Sequence, residues 1–190
     1  MTSFERNLEA GNVGERMVER FLQENRQWYT IPSYDFNGDD KAPRMRCMGD
    51  GLVIPDLDCA RAGTRRWVEV KTYDHAAFNR AMKCLVHGIK RRLYYDYVQV
   101  EINSGAPVFL CVLEVSTGDL LCQHLRSMEA FPCMCPACKR EEYDRCQAWS
   151  MRDCVYFKRE HFEHWHTFSS EEMEPVRVAF EDRKPQMVMK

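Results

Sequence analysis

The sequence predicts a mixed α/β fold, a sheet flanked by helices, with a cysteine-rich insert attached. Three observations lead there. Apolar residues near the start recur in steps of four, two strand-like runs meet at a glycine-containing turn between Leu52 and Lys71, and β-branched runs follow after position 93. Helical and strand periods alternating in this way describe a sheet with helices packed on it. The insert is marked by five of the ten cysteines falling between Cys133 and Cys154, where no apolar period is visible.

In the first stretch, Phe4 to Asn25, Val13, Met17 and Phe21 share one face with Val18 and Leu22, which predicts an amphipathic helix. Gly11 and Gly14 weaken its first half, so it is expected to firm up near Asn12. Trp28 to Gly51 carries Pro32, Gly38, Pro43 and Gly49 and reads as a loop region holding one short strand. Leu52–Ala60 and Arg65–Lys71 flank Arg61-Ala62-Gly63-Thr64 and form a hairpin. Phe78, Met82, Leu85 and Ile89 then predict a second helix over His75–Arg92, with strands at Tyr94–Asn103 and Pro107–Ser116. Turns come from Asn103-Ser104-Gly105-Ala106 and Thr117-Gly118-Asp119. The last twenty residues are charged and contain Pro175 and Pro185, which predicts a loosely held tail with one short strand at Val176–Phe180. The expected organisation is a core over 1–122, a cysteine-rich metal-binding segment over 123–168 and a tail over 169–190.

The 190 residues are 45% hydrophobic and 29% charged, ordinary values for a globular protein with a sizeable core. A formal charge of −2 excludes a polycation, so any nucleic-acid contact must rest on local basic clusters. These are Arg44 with Arg46, Arg61 with Arg65 and Arg66, Lys90-Arg91-Arg92, Lys139-Arg140 and Lys158-Arg159. No apolar run is long enough to span a bilayer, and the start lacks a signal-peptide layout, so the expectation is a cytoplasmic protein without a membrane partner. In such a compartment, cysteines crowded together point to metal ligation rather than disulfides. The scattered cysteines are expected to be small buried apolar side chains.

The chemistry concentrates in Ile54-Pro55-Asp56-Leu57-Asp58 and Trp67-Val68-Glu69-Val70-Lys71. Alternate residues of a strand share a face, so Glu69 and Lys71 point the same way, as do Asp56 and Asp58. With Ala62-Gly63 at the turn centre, facing positions sum to 125 and Asp56 lies opposite Glu69. With Gly63-Thr64 there, they sum to 127 and Asp58 faces Glu69. Either arrangement brings two carboxylates to about 5 Å, close enough to repel unless a cation or proton intervenes. Magnesium, which takes one or two carboxylates and keeps several waters, fits that need. Lys71 on the same face could orient the attacking water or stabilise charge on a phosphate.

Pro55-Asp56, a spacer and Glu69-Val70-Lys71 resemble the PD-(D/E)xK signature of restriction endonucleases, archaeal Holliday-junction resolvases and related phage and repair nucleases. The 13-residue step from Asp56 to Glu69 is similar to that of the resolvases and favours Asp56 over Asp58. Gly14-Glu15 resembles the Gly-Glu that precedes the motif in those enzymes, where the glutamate helps to hold metal. The resemblance covers about Gly11 to Ser116 and implies a restriction-endonuclease-like αβββαβ core. It implies a deoxyribonuclease using Mg²⁺ or Mn²⁺ at Asp56 and Glu69, assisted by Lys71 and Glu15. DNA, including branched or single-stranded forms, is the implied partner, and resolvase-like cutting would need a homodimer. A non-catalytic zinc-stapled binding module and a metal-dependent RNase are the alternatives.

Outside the resemblance, Cys133, Cys135, Cys138 and Cys146 offer the tetrahedral thiolate set of a structural zinc, with an iron–sulfur cluster as the rival. Cys154, Cys122 and His124 could each replace one ligand.

Overall fold

The computed structural model describes residues 3–33, 44–45, 51–133, 136–139 and 153–181. Helix α1 (Ser3–Glu24) runs through Gly11 and Gly14 without a break and buries Val18, Phe21 and Leu22. Strand β1 (Tyr29–Pro32) follows, then the short pair β2 (Arg44–Met45) and β3 (Leu52–Val53). The predicted hairpin is β4 (Leu57–Arg61) and β5 (Thr64–Tyr73). Next come β6 (Ala77–Asn79), β7 (Cys84–Lys90), α2 (Arg91–Ser104), β8 (Val108–Glu114) and β9 (Asp119–His124). The chain continues with β10 (Phe131–Pro132), the single turn α3 (Pro136–Lys139), β11 (Cys154–Lys158), β12 (Glu163–Thr167) and α4 (Ser170–Glu181).

The main sheet has the order β1-β4-β5-β8-β9-β12, with β5 and β8 parallel and its other pairs antiparallel. A parallel neighbour demands a crossover, and β6, β7 and α2 provide it. The two faces of this sheet carry separate cores. Val68 and Val70 point toward α1 and α4 with Leu57, Cys111 and Leu113, whereas Trp67 packs with Leu110, Val112, Tyr97 and Val100 on the α2 side. A second sheet, β10-β11-β7-β6, packs its Ile89, Val155 and Phe157 into this α2-side core. Cys59, Cys111 and Cys122 are buried small side chains of the α1 side, as expected of scattered cysteines.

Three expected elements are corrected. His75–Arg92 is two strands rather than a helix, and Tyr94–Asn103 is helix rather than strand. Phe78 and Leu85, half of the supposed helical face, are 63% and 46% exposed, while consecutive residues Val86 to Ile89 are buried on both sides of β7. In α2 the tyrosines and valines imitate strand composition, but Leu93, Tyr97 and Val100 make the helical stripe that faces the core. Gly105, at φ 68°, ends that helix, its N–H donating to the Glu101 carbonyl. The third correction is the tail, where 170–181 forms α4 rather than a short strand. Met173 and Val176 are completely buried among residues of the α1-side core.

Candidate metal-dependent active site

The β4–β5 pairing settles the register. Leu57 faces Val68 and Arg61 faces Thr64, the arrangement in which facing positions sum to 125. Ala62 and Gly63 have φ values of 46° and 80°, the doubly positive geometry of a tight two-residue hairpin turn that matches strand twist. Asp58 therefore lies beside Trp67, and its carboxylate is occupied by two hydrogen bonds donated by Arg65 at 2.8 and 2.6 Å. One step beyond the last pair, Asp56 comes opposite Glu69.

There β4 ends while β5 continues to Tyr73, which opens a notch in the sheet. The Asp56 side chain occupies the position of the missing strand, its Oδ2 accepting the Val70 N–H at 2.8 Å. Its own carbonyl accepts the Ser33 N–H at 2.7 Å, which fixes the backbone from the β1 side. Glu69 is 1% exposed, with Oε1 paired to the Lys71 ammonium and Oε2 buried without a hydrogen-bond partner. Lys71 also donates to the Val70 carbonyl at 3.1 Å and keeps 28% of its side chain open to solvent.

Helix α1 brings in Glu15. Gly14 packs so closely on β5 that a methyl group in its place would collide with Thr72 Oγ1, which holds α1 against this strand. Burial raises the Glu15 carboxyl pKa, Lys71 lowers it and Glu69 raises it again, so Glu15 shares the field of both. Asp56 is pushed well above the usual carboxylate range, first by burial, then by Glu69, with Lys71 and the Val70 N–H opposing. Burial alone would lower the Lys71 pKa; the Glu69 and Asp56 carboxylates outweigh it and keep the ammonium charged. Asp56 and Glu69 meet one ammonium in the notch, with Glu15 acting on them through its charge, an anionic excess that favours a cation.

Tyr97, buried on α2, was not visible from the motif. Its phenol pKa is raised well above normal by burial and then by Glu69 and Asp56, so it shares the field of both carboxylates. The legible signal was the helical spacing of Leu93, Tyr97 and Val100, which strand-like composition concealed.

The cysteine cluster is placed in part. Cys133, Cys138 and Cys154 are buried, whereas Cys135 and Cys146 lie outside the described residues. The Cys133 N–H donates to the Cys154 carbonyl at 2.9 Å, continuing the β10–β11 pairing and setting these cysteines across from one another. Cys122 lies in the α1-side core, and the His124 imidazole is 2.9 Å from Glu101. Among the described residues, no three His, Cys, Asp or Glu side chains already form a metal cage. Magnesium does not require one, because waters fill most of its shell.

No protein-family model matches the sequence, and no curated protein does. Solved structures similar to it include two nucleases. The Holliday junction resolvase Hjc of Archaeoglobus fulgidus is 15% identical, with a TM-score of 0.42 over 61% of this chain and 80% of the resolvase. A nuclease from a fusselovirus is 11% identical, with a TM-score of 0.38 over 97% of each chain.

Proposed function

We propose that this chain is a metal-dependent deoxyribonuclease that hydrolyses phosphodiester bonds at the β5 notch. The observation that carries the reading is the buried, unpartnered Glu69 Oε2 beside Asp56, Glu15 and Lys71. An orphaned carboxylate oxygen in a site of surplus negative charge fits a hard divalent cation, and the all-oxygen donor set fits Mg²⁺ or Mn²⁺. Asp56 and Glu69 would hold the ion directly and Glu15 would complete the acidic wall. Bound there, the ion would supply Lewis-acid charge to the phosphate and a more acidic water.

The chain's own groups divide the remaining work. Lys71, held as an ammonium by its carboxylate neighbours, donates hydrogen bonds and positive charge to the phosphate or the attacking water and does not abstract a proton. Tyr97 closes the notch from the α2 side. The Val70 N–H steadies Asp56, so that acid is oriented before the substrate arrives.

Labelled linear, branched and single-stranded DNA, with RNA beside them, are incubated with Mg²⁺ or Mn²⁺ and wild-type, Asp56→Asn or Lys71→Ala protein. DNA cleavage abolished by either substitution supports the proposal. Cleavage of RNA alone moves the substrate class to RNA, and binding without cleavage makes the chain a binding module. Paired cuts on branched DNA would further require a homodimer, read from the protein's mass in solution.

For the cysteine segment we propose structural zinc. The sequence nominates Cys133, Cys135, Cys138 and Cys146 as ligands. The position of Cys154 across from Cys133 supports it as a competitor for the fourth place.

A further inference from the structure

Five of the described arginines pair with a carboxylate. Arg20 meets Glu24, Arg65 meets Asp58, Arg91 meets Asp153, Arg126 meets Glu101 and Arg159 meets Glu114. Arg26, Arg61 and Arg66 differ. They cluster where the end of α1 meets the tip of the β4–β5 hairpin, and among the described residues none of the three forms an ion pair. Arg61 donates to the Arg26 carbonyl at 2.7 Å and Arg26 to the Trp165 carbonyl at 3.4 Å, so both give hydrogen bonds to backbone oxygens.

Aromatic rings hold all three. The Arg66 guanidinium lies 4.1 Å from the Trp28 ring centroid and 4.4 Å from that of Phe109. Arg61 lies over Trp28 at 5.0 Å, and Arg26 over Trp165 at 5.1 Å. Stacking uses the flat faces of a guanidinium and leaves its in-plane N–H donors directed outward, the edge geometry that phosphate oxygens match. Arg66 is half-buried, burial lowers its pKa, and among the described residues no carboxylate pairs with it. A partly desolvated cation without a counter-charge is costly in the free protein, and an anionic ligand removes that cost. Beside the stack, Gln23, Gln27, Trp28, Tyr29 and Thr30 line an open groove, with the Tyr29 ring 81% exposed at its rim.

We infer that Arg26, Arg61 and Arg66 form a second nucleic-acid contact, gripping the phosphodiester backbone of DNA away from the cleavage notch. Arg66 and Lys71 lie five residues apart on β5 and so on opposite faces of the main sheet, which makes the arginine cluster a contact separate from the notch. The inference rests on the nuclease reading for its choice of polymer, and binding without cleavage separates the two.

The test is fluorescence anisotropy of a fluorescein-labelled DNA duplex with no Mg²⁺ or Mn²⁺ added, titrated over a range of salt with wild-type, Arg61→Gln, Arg66→Gln and Lys83→Gln proteins. Arg61 is exposed, so its substitution leaves folding intact even where Arg66→Gln loosens the core. The expected result is a threefold to tenfold loss of affinity for Arg61→Gln and for Arg66→Gln, and a salt slope smaller by about one for each. Lys83→Gln, which removes one positive charge from the turn before β7, is expected to change little. Unchanged affinity and slope in Arg61→Gln overturn the inference, as does an equal loss in Lys83→Gln. A wild-type protein that binds with this pattern but never cuts would sink the nuclease reading alone; one that cuts with Arg61 and Arg66 dispensable for binding would sink this contact alone.

Discussion

Asp56 and Glu69 are two carboxylates held together by the hairpin register, and one of them is almost wholly removed from water. Their repulsion is a standing cost that Lys71 offsets only in part, since its ammonium pairs with one oxygen and leaves Glu69 Oε2 unmatched. Neutralising Asp56 should relieve the repulsion. Asp56→Asn is expected to raise the Tm of the metal-free protein and to abolish the further rise that Mn²⁺ gives wild type, both read by thermal denaturation. Lys71→Ala should act in the opposite sense. It strips the buried Glu69 of its partner, a loss of about 3–5 kcal/mol when one half of a buried pair is removed, measured by chemical denaturation. These three residues were legible in the sequence because one short hairpin carries them and Ala62-Gly63 accepts the doubly positive turn. Tyr97 was not, because it joins the field of Glu69 and Asp56 across elements and α2 has the composition of a strand.

At the level of elements, α1, which carries Glu15, approaches β5 through a close contact of Gly14 against Thr72. Gly14→Ala is expected to destabilise the fold by about 1–3 kcal/mol through overpacking and to lower cleavage by displacing Glu15, a paired effect that denaturation and a cleavage assay check together. Residue spacing showed the Gly-Glu pair, but the sequence does not show what the glycine touches. The cysteine segment offers a similar contrast. Spacing alone nominated Cys146, whereas strand pairing brings Cys154 opposite Cys133. Metal analysis of purified variants decides between them: zinc lost in Cys146→Ser alone keeps the spacing-based set, and zinc lost in Cys154→Ser alone gives the fourth place to Cys154. The error over β7 and α2 has a physical cause: a strand buried on both faces has no alternation, so its apolar residues can be fitted to a helical period.

Across the whole molecule, a buried polar junction ties the second sheet to the first. His87 on β7 lies 2.9 Å from Glu114 on β8, and Arg159, just after β11, makes a two-pronged contact with the same carboxylate and reaches Asp119 on β9. Burial alone would raise the Glu114 pKa, but the hydrogen bonds from His87 and Arg159 overcome it and bring it down to about 2. The unfolded chain takes up this proton near 4.5, so the junction contributes stability above that pH, and the contribution is lost as pH falls toward 2. Glu114→Gln should therefore lower stability near neutrality and flatten the wild-type decline between about pH 4.5 and 2, as followed by denaturation at each pH. None of this was visible in the sequence, since its partners lie 27 to 45 residues apart and join through strand order.

The most direct test of the ion site is calorimetric titration of Mn²⁺ into the metal-free protein at neutral pH. One site that disappears in both Asp56→Asn and Glu69→Gln is the predicted result. Mn²⁺ binding that survives unchanged in both variants, or no binding to wild type, would contradict a cation held at the β5 notch.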